Sequence, residues 1–252
     1  MHKPTIVLVP GSWHFPSHYK PLLDALQSLG YPTRCLPLPS VSPKDYAYPS
    51  LEVDATFTRE QAILPELEKN NVIAIGHSYG SVVLGAATKS LGPGERKEGQ
   101  NVVLGLVYLC GVIGFTGQTL FPSRDILAPF VVLDDPKTGL VLTTQDSENT
   151  FFNGVGDKAY VQQALRTLGT QSWTAYSTPS PAQAWEDSAW DGRRLYVRSS
   201  LDNAIPIAWQ DKMMDATGVK WEVATLDSGH APFASHAKEV MDLIDEYTGK
   251  WQ

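Results

Sequence analysis

The residues best suited to chemistry are a serine and two glycines at a junction between a predicted strand and a predicted helix. Gly76, Ser78 and Gly80 form a Gly-x-Ser-x-Gly pattern after the apolar run 72–75 and before the apolar run 82–87. This pattern predicts a nucleophile elbow, a tight turn that lifts the serine Oγ clear of the sheet. Glycine at the flanking positions removes the Cβ that would collide with the adjoining strand and helix. Ser78 is therefore the candidate nucleophile, at the positive end of the next helix.

A serine hydroxyl attacks poorly at neutral pH unless a base accepts its proton and an acid fixes the tautomer of that base. His230 is the candidate base, because it lies in the Gly/Pro-containing loop 227–233 directly after the last predicted strand. His236 is the alternative, although we expect it inside the last helix. His77 adjoins the nucleophile, and we expect its side chain to point away from Ser78.

Asp202 is the candidate acid. It follows a predicted strand that ends at Ser199, and functional side chains of open α/β sheets lie beyond the carboxyl ends of the strands. Asp125, after the preceding strand, is the alternative. Asp187 and Asp191 lie too close to the start of the next strand to reach its carboxyl end.

Two backbone N–H groups are expected to stabilise negative charge on the oxygen of an attacked carbonyl. One belongs to Tyr79, directly after the nucleophile, and the other belongs to Ser12 in the loop after the first strand. Gly11 lets that loop approach a substrate closely. The side chains expected to line a substrate pocket are Trp13, His14, Phe115 and Trp173.

The predicted elements alternate between strand and helix in both the first and the last part of the chain. They are strand 5–9, helix 17–29, strand 31–36, helix 50–70 with an interruption at Pro65, strand 72–75, the helix after the elbow, strand 102–109, helix 157–168, a helix beginning at Ser180, strand 194–199, helix 206–216, strand 219–226 and helix 234–247. This alternation predicts an α/β fold with a mostly parallel, doubly wound sheet.

The alternation breaks between residues 111 and 191, a segment rich in Trp, Phe and Tyr. We interpret 111–191 as a cap insertion above the active site. The alternative is that most of its aromatic side chains only hold the insertion together. The whole chain, residues 1–252, is thus predicted to be one domain that carries this insertion.

The composition argues against several classes of partner. A formal net charge of −7 over 252 residues argues against nucleic acid and anionic membranes. No apolar run approaches the length of a membrane span, and we expect no secretory leader. Cys35 and Cys110 are predicted to be buried free thiols in a reducing, cytoplasmic compartment. No Cys/His spacing is typical of a metal site, so we expect neither a metal nor another cofactor.

Four segments resemble the branch of the α/β-hydrolase superfamily that contains plant methylesterases and hydroxynitrile lyases. They are residues 10–14, the elbow, residues 200–206 and residues 228–230. The 28-residue interval between Asp202 and His230 is also that of the branch. The resemblance extends over nearly the whole chain. It implies the α/β-hydrolase fold, the triad of Ser78, Asp202 and His230, and a small, mostly apolar pocket under the cap.

Two departures from this branch bear on function. The branch usually has His-Gly where this chain has Pro10 and Gly11, a change that affects loop packing but keeps the amide of Ser12. The lyases carry a lysine after the catalytic histidine to hold the leaving cyanide, and this chain has Ala231 there. Cyanohydrin cleavage by that mechanism is therefore disfavoured.

The leading hypothesis is a cofactor-free serine hydrolase that cleaves a small carboxylic ester or lactone. A first alternative uses the same site in a lyase, a cyclase or a C–C bond hydrolase acting on a natural-product intermediate, since one fold hosts many reactions. A second alternative is a small-molecule receptor that uses the pocket and the cap without turnover. The sequence carries no signal for the oligomeric state.

Overall fold

The computed structural model describes residues 3–44, 48–121, 131–133, 140–143 and 146–252. In chain order its strands and α-helices are β1 (Thr5–Val9), α1 (Lys20–Ser28), β2 (Thr33–Cys35), α2 (Leu51–Phe57), α3 (Leu64–Leu67), β3 (Val72–His77), α4 (Gly80–Ala87), β4 (Val103–Leu109), β5 (Val131–Leu133), β6 (Leu140–Thr143), α5 (Ser147–Phe151), α6 (Lys158–Thr167), β7 (Gln171–Ser172), α7 (Thr174–Ser177), β8 (Arg194–Ser199), α8 (Ile207–Thr217), β9 (Glu222–Leu226), α9 (Pro232–Ser235) and α10 (Ala237–Trp251). Short 3₁₀ turns occupy Pro16–Tyr19, Ala184–Glu186 and Ser188–Trp190.

The main sheet has the strand order β2-β1-β3-β4-β8-β9, and each pair of neighbouring strands is parallel. The chain moves from β1 to β2 in one direction and from there to β3 and β4 in the other. Right-handed crossovers therefore place α1 on one face and both α2 and α4 on the opposite face. Strands β1, β3 and β4 are buried along their full length, as apolar strands covered on both faces must be. The predicted doubly wound α/β fold is confirmed.

The parallel arrangement decides where functional side chains meet. The carboxyl ends of all six strands lie at one edge of the sheet, and the loops after β1, β3, β8 and β9 converge there. We call this the carboxyl edge. It carries the four loops on which the sequence analysis places the nucleophile, the base, the acid and the amide donors.

The predicted helix 50–70 is divided into α2, a π-helix at Thr58–Ile63, and α3. Ser50 caps α2 by accepting a hydrogen bond from the Val53 N–H. The interruption precedes Pro65, which has no N–H to offer the carbonyl of Gln61, four residues earlier. That carbonyl accepts instead from Arg34 Nη2 at 3.1 Å.

Other predicted boundaries differ for tertiary reasons. The helix predicted to begin at Ser180 does not form, because the Ser180 N–H bonds to the Gln118 carbonyl and the Ser180 carbonyl accepts from Gly117. The last predicted helix is split into α9 and α10 at His236, whose backbone is not helical. The predicted free thiols are observed for Cys35 and Cys110, although Cys35 is only half-buried.

Residues 111–191 are described in part. Strands β5, β6 and β7 form a small antiparallel sheet there, and a bridge between Val41 and Gln171 joins it to the loop before α2. The role of this segment as a cap, and the assignment of the chain to one domain, stay predictions. Among the described helices, none combines the length and the apolar character required to cross a membrane.

A buried arginine ties the end of this segment to the main sheet. Arg194, at the start of β8, is 1% exposed. Its guanidinium donates to the carbonyls of Trp185 and Asp187, each at 2.7 Å, and to Asp191 Oδ1 at 2.8 Å. A buried cation with three acceptors holds the chain before β8 in one position.

We expect Arg194→Met to lower the free energy of unfolding by about 2–4 kcal/mol, because it leaves the buried Trp185 carbonyl without a donor and removes the bonds to Asp187 and Asp191. Arg198→Met on the same strand is the matched control. Arg198 is half-buried and pairs with Asp211, so its loss is worth less than about 1 kcal/mol. Urea unfolding of the two variants measures the difference, and equal destabilisation would contradict this account.

Candidate active site

The elbow is held by the close approach of β3 to α4. Ser78 lies between them with φ at 53°, a left-handed conformation that is strained for a residue with a side chain. A Cβ on Gly76 would lie 2.4 Å from Ser81 Cα, and one on Gly80 would lie 2.3 Å from the Val9 carbonyl oxygen. The packing thus admits only glycine at both positions. The half-exposed Ser78 is placed at the carboxyl edge, as the strand–turn–helix prediction requires.

The loop after β1 lies directly against the nucleophile. A Cβ on Gly11 would be 3.0 Å from Ser78 Cβ, so only glycine allows this approach without displacement. Among the described residues, the N–H groups of Ser12 and Tyr79 have no hydrogen-bond acceptor. Ser12 is buried, and its Oγ accepts from the Tyr176 hydroxyl at 2.6 Å. Two unengaged backbone donors beside a serine can bind an oxyanion.

His230 and Asp202 are paired. His230 Nδ1 lies 2.7 Å from Asp202 Oδ2, and both side chains are buried. The other carboxylate oxygen accepts from the N–H groups of Ala204 and Ile205, each at 2.8 Å. Because an ionised carboxylate only accepts, Nδ1 carries the imidazole proton and Nε2 bears the lone pair. This is the tautomer in which a histidine can act as a base toward a hydroxyl.

Cross-links between the loops after β8 and β9 hold this pair together. The hydroxyls of Ser199 and Ser228 share a hydrogen bond of 2.9 Å. The Leu201 N–H donates to the Ser228 carbonyl at 3.0 Å. Asp202 and His230 each lie within two residues of one of these bonds, so their separation is set by the backbone as well as by their own hydrogen bond.

The alternative bases and acids are placed elsewhere or not described. His236 shares a hydrogen bond of 2.9 Å with the Ser235 hydroxyl rather than with an acid. Asp187 pairs with Lys89 and Asp191 with Arg194. Asp125 lies outside the described residues.

Three of the four side chains expected in the pocket share one aromatic group. The Phe151 ring lies 5.5 Å from Trp13, 5.9 Å from His14 and 6.0 Å from His230. The Tyr176 ring joins Trp13 to Trp173, with centroid distances of 6.4 and 6.3 Å. This group extends from the paired histidine to residues of the predicted insertion.

Phe115 belongs to a different group. Its ring packs on Trp185 at 5.3 Å, and Trp185 packs in turn on Trp221, just before β9. The structure therefore separates Phe115 from the aromatic group of Trp13, His14 and Trp173.

His14 is almost fully buried and neutral. Its Nδ1 donates to the Ser12 carbonyl at 2.6 Å, which fixes the tautomer and helps to shape the loop that carries the Ser12 amide. Burial lowers the pKa of His14 to about 3. Its Nε2 has no hydrogen-bond partner among the described residues.

Several residues that contact the site were not predicted from the sequence: Tyr19, Asp54, Phe151 and Tyr176. The paired aromatics at 151–152 were a signal that the insertion contributes rings. Tyr19, Asp54 and Tyr176 carried no such signal, because their bonds to His77, Tyr79 and Ser12 join residues 58, 25 and 164 positions apart.

Asp54 is a buried carboxylate behind the elbow. Its Oδ2 accepts from the Tyr79 hydroxyl at 2.8 Å and from the Ser40 hydroxyl, and its Oδ1 accepts from the Ser40 N–H at 2.9 Å. Burial raises the pKa of Asp54 from its usual value of 3.8 to about 6. Tyr79, whose amide is one of the two unengaged donors, is thus anchored through its side chain.

His77, Cys110 and His230 form a buried cluster whose donor atoms lie within 4.8 Å of one another. Their spacing along the chain did not predict this proximity. Both ring nitrogens of His77 and Nδ1 of His230 already take part in hydrogen bonds within the protein. A metal ion at this position would have to displace those bonds.

Comparison with known proteins places the chain among hydrolases. The model of a family described as the alpha/beta hydrolase family matches residues 6–243. Alpha/beta hydrolase nvfD of Aspergillus novofumigatus is 26% identical over 99% of this chain and 98% of its own length. A pyrethroid hydrolase of Sphingobium wenxiniae is 26% identical over 96% of this chain and 86% of its own length.

Solved structures show the same fold. The pyrethroid hydrolase PytH superposes with a TM-score of 0.76 at 20% identity and covers 98% of both chains. A methylesterase from Arabidopsis superposes with a TM-score of 0.70 at 15% identity, over 98% of this chain and 99% of the other. The fold expected from the resemblance to plant methylesterases is confirmed.

The buried Asp54 predicts a specific dependence of stability on pH. Between about pH 4 and pH 6 the folded protein holds a proton at Asp54 that the unfolded chain has released. The contribution of Asp54 to the free energy of unfolding therefore falls as the pH rises through this range. Relative to the wild type, Asp54→Asn should gain about 2–3 kcal/mol between pH 4 and pH 7, measured by urea unfolding at each pH.

Asp245→Asn is the control. Asp245 accepts hydrogen bonds from Lys3 and Tyr31, and the bond from Lys3 lowers its pKa. Its pH-dependent contribution therefore falls below about pH 4, and the difference from wild type should be nearly flat above that. A flat difference for Asp54→Asn as well would show that this carboxyl titrates normally.

Proposed function

The chain belongs to the alpha/beta hydrolase family, and we propose that, as an ester hydrolase of this family, it cleaves small carboxylic esters or lactones through an acyl-enzyme on Ser78. The observation that carries the proposal is the 2.7 Å hydrogen bond between His230 Nδ1 and the Asp202 carboxylate. It leaves the lone pair of Nε2 for the hydroxyl of a serine at the same edge of the sheet.

In the proposed first half-reaction, His230 Nε2 accepts the Ser78 hydroxyl proton while Oγ forms a bond to the substrate carbonyl carbon. The carbonyl π electrons move onto oxygen to give a tetrahedral oxyanion. Asp202 stabilises the imidazolium, and its two backbone hydrogen bonds hold the carboxylate in place. Collapse of the oxyanion breaks the C–O bond, and His230 gives its proton to the leaving alkoxide.

The N–H groups of Ser12 and Tyr79 are the proposed donors to the oxyanion. Both flank the nucleophile, and neither has another acceptor among the described residues. A donor in such a site contributes about 3 kcal/mol to transition-state stabilisation. In the second half-reaction, His230 accepts a proton from water as the water oxygen bonds to the acyl carbon. Collapse of this second tetrahedral oxyanion breaks the bond to Ser78 Oγ, His230 returns the proton to that oxygen, and the carboxylic acid product leaves. The proposed reaction uses protein groups and water alone.

The surroundings of His230 support an ester substrate with an apolar acyl or alcohol part. The Phe151 ring, from the segment proposed to cap the site, lies 6.0 Å from the His230 ring, and the Trp13 ring packs on Phe151. Ala231 places a buried methyl group where the related lyases carry a lysine. The names of the relatives, a pyrethroid hydrolase and a methylesterase, also favour ester cleavage.

We expect Ser78→Ala to abolish labelling by a fluorophosphonate probe and to lower ester turnover at least about a thousandfold, which corresponds to about 4 kcal/mol. Ser28→Ala, at the exposed end of α1, should change neither. Undiminished turnover in Ser78→Ala would refute the acyl-enzyme. Turnover that survives in Ser78→Ala but is lost in His230→Ala would favour the lyase or cyclase alternative.

We expect Asp202→Asn to lower kcat by about 10⁴-fold with little change in KM, because an amide NH₂ facing Nδ1 favours the wrong tautomer of His230. Asp227→Asn in the loop after β9 is the matched control. Asp227 accepts from the Ser200 hydroxyl at the surface, so its kcat should stay within about twofold of wild type. Steady-state kinetics on an activated ester such as 4-nitrophenyl butyrate measures both, and a kcat near wild type for Asp202→Asn would remove Asp202 from the mechanism.

A further inference from the structure

We propose that Tyr19 and His77 are positioning residues that lock the base-carrying loop to the loop of the Ser12 amide through one directed chain of hydrogen bonds. This inference rests on the proposed function, because it assigns a catalytic consequence to a structural link. Neither side chain touches the reacting atoms. Their role is to set the distance between the proton acceptor and the oxyanion donor.

This chain of hydrogen bonds consists of three bonds of equal length. The Gly11 N–H donates to the Tyr19 hydroxyl oxygen at 2.8 Å. The Tyr19 hydroxyl lies 2.8 Å from His77 Nδ1. His77 Nε2 lies 2.8 Å from the backbone carbonyl of His230.

The direction of each bond follows from the groups at its two ends. The His230 carbonyl can only accept, so His77 Nε2 carries a proton. A neutral imidazole then has a lone pair on Nδ1, so the Tyr19 hydroxyl donates to it. The hydroxyl oxygen accepts in turn from Gly11, whose N–H can only donate. Every group in the chain is satisfied in this one sense and in no other.

Burial keeps the two middle groups in the required protonation states. Tyr19 and His77 are both fully buried. Burial lowers the pKa of His77 well below its usual value, so the ring is neutral and can accept from Tyr19. Burial also raises the pKa of Tyr19, so the hydroxyl keeps the proton that it donates.

The chain passes through three loops of the carboxyl edge. Gly11 immediately precedes Ser12, His77 immediately precedes Ser78, and His230 is joined at its own backbone. Within the described residues, the His230 carbonyl has one further hydrogen-bond partner, the Cys110 thiol at 3.5 Å. The His77 bond is therefore the short fixed link between the backbone of the base and the elbow. A displacement of about 1 Å between reacting groups lowers rates by about 100-fold.

The hydrogen bonds of the Tyr19 hydroxyl can be tested separately from the packing of the Tyr19 ring. The Phe233 ring packs on Tyr19 at 4.4 Å and on His77 at 4.9 Å. Tyr19→Phe keeps this aromatic packing and removes only the hydroxyl. It leaves the Gly11 N–H and His77 Nδ1 without their partners.

We expect Tyr19→Phe to lower kcat by about 10- to 100-fold while KM changes less than about threefold. Tyr160→Phe is the matched control. The half-buried Tyr160 hydroxyl also bonds to a backbone group, the His18 carbonyl to which it donates, but it is not part of this chain of hydrogen bonds. It should lose stability without losing kcat. An unchanged kcat in folded Tyr19→Phe, or equal losses in both variants, would overturn the inference.

Two substitutions of His77 supply a rescue test. Gln carries an amide N–H that can reach the His230 carbonyl, whereas Leu fills similar space without a donor. We expect His77→Gln to retain at least about tenfold more kcat than His77→Leu at similar unfolding midpoints. Equal kcat in the two variants would show that His77 acts through packing alone.

The outcome for wild type separates this inference from the proposed function. Wild-type protein that neither cleaves an activated ester nor reacts with a fluorophosphonate would overturn the proposed function together with this consequence. Wild-type turnover that Tyr19→Phe fails to reduce would overturn the positioning role alone. Imidazole ¹⁵N resonances offer a readout independent of turnover, because the chain requires the Nε2–H tautomer of His77 in the wild type.

Discussion

The carboxyl edge depends on one constraint, which is that polar groups removed from water must find their hydrogen-bond partners within the protein. Asp202, His230, His77 and Tyr19 are all almost completely buried. Each is held by bonds of 2.7–2.8 Å to groups on other loops. Since an unpaired buried donor or acceptor is destabilising by about 1–3 kcal/mol, the arrangement resists any slippage of one loop past another. The positions of these side chains are therefore fixed because the polar groups are shielded from water.

The same burial decides which histidines near the site are neutral. His14 and His77 are kept neutral by desolvation, which lowers the pKa of each. His230 faces an oriented carboxylate, which can stabilise the positive imidazolium formed in the proposed reaction. Because His14 and His77 are neutral, neither places a second positive charge next to His230. The buried Asp54 anchors Tyr79 by accepting a hydrogen bond from its hydroxyl.

The segment before β8 contributes both side chains and backbone to the edge, since the Gly169 N–H donates to the Trp13 carbonyl at 2.7 Å. Phe151 reaches His230, and Tyr176 reaches both Ser12 and Tyr79. The buried Arg194 donates to the carbonyls of Trp185 and Asp187, which fixes the end of this segment to the start of β8.

The sequence by itself determined the features that follow from local rules. Apolar runs and turn residues located the strands of the main sheet, and the Gly-x-Ser-x-Gly pattern located the elbow, because a positive φ at Ser78 and the close contact at Gly76 constrain adjacent residues. Tertiary structure alone decided the rest. The chain from Gly11 to His230 spans steps of 8, 58 and 153 residues, and the Phe115 ring joined a different aromatic group from Trp13. Such contacts depend on the order of strands and on loop geometry, which local patterns do not encode.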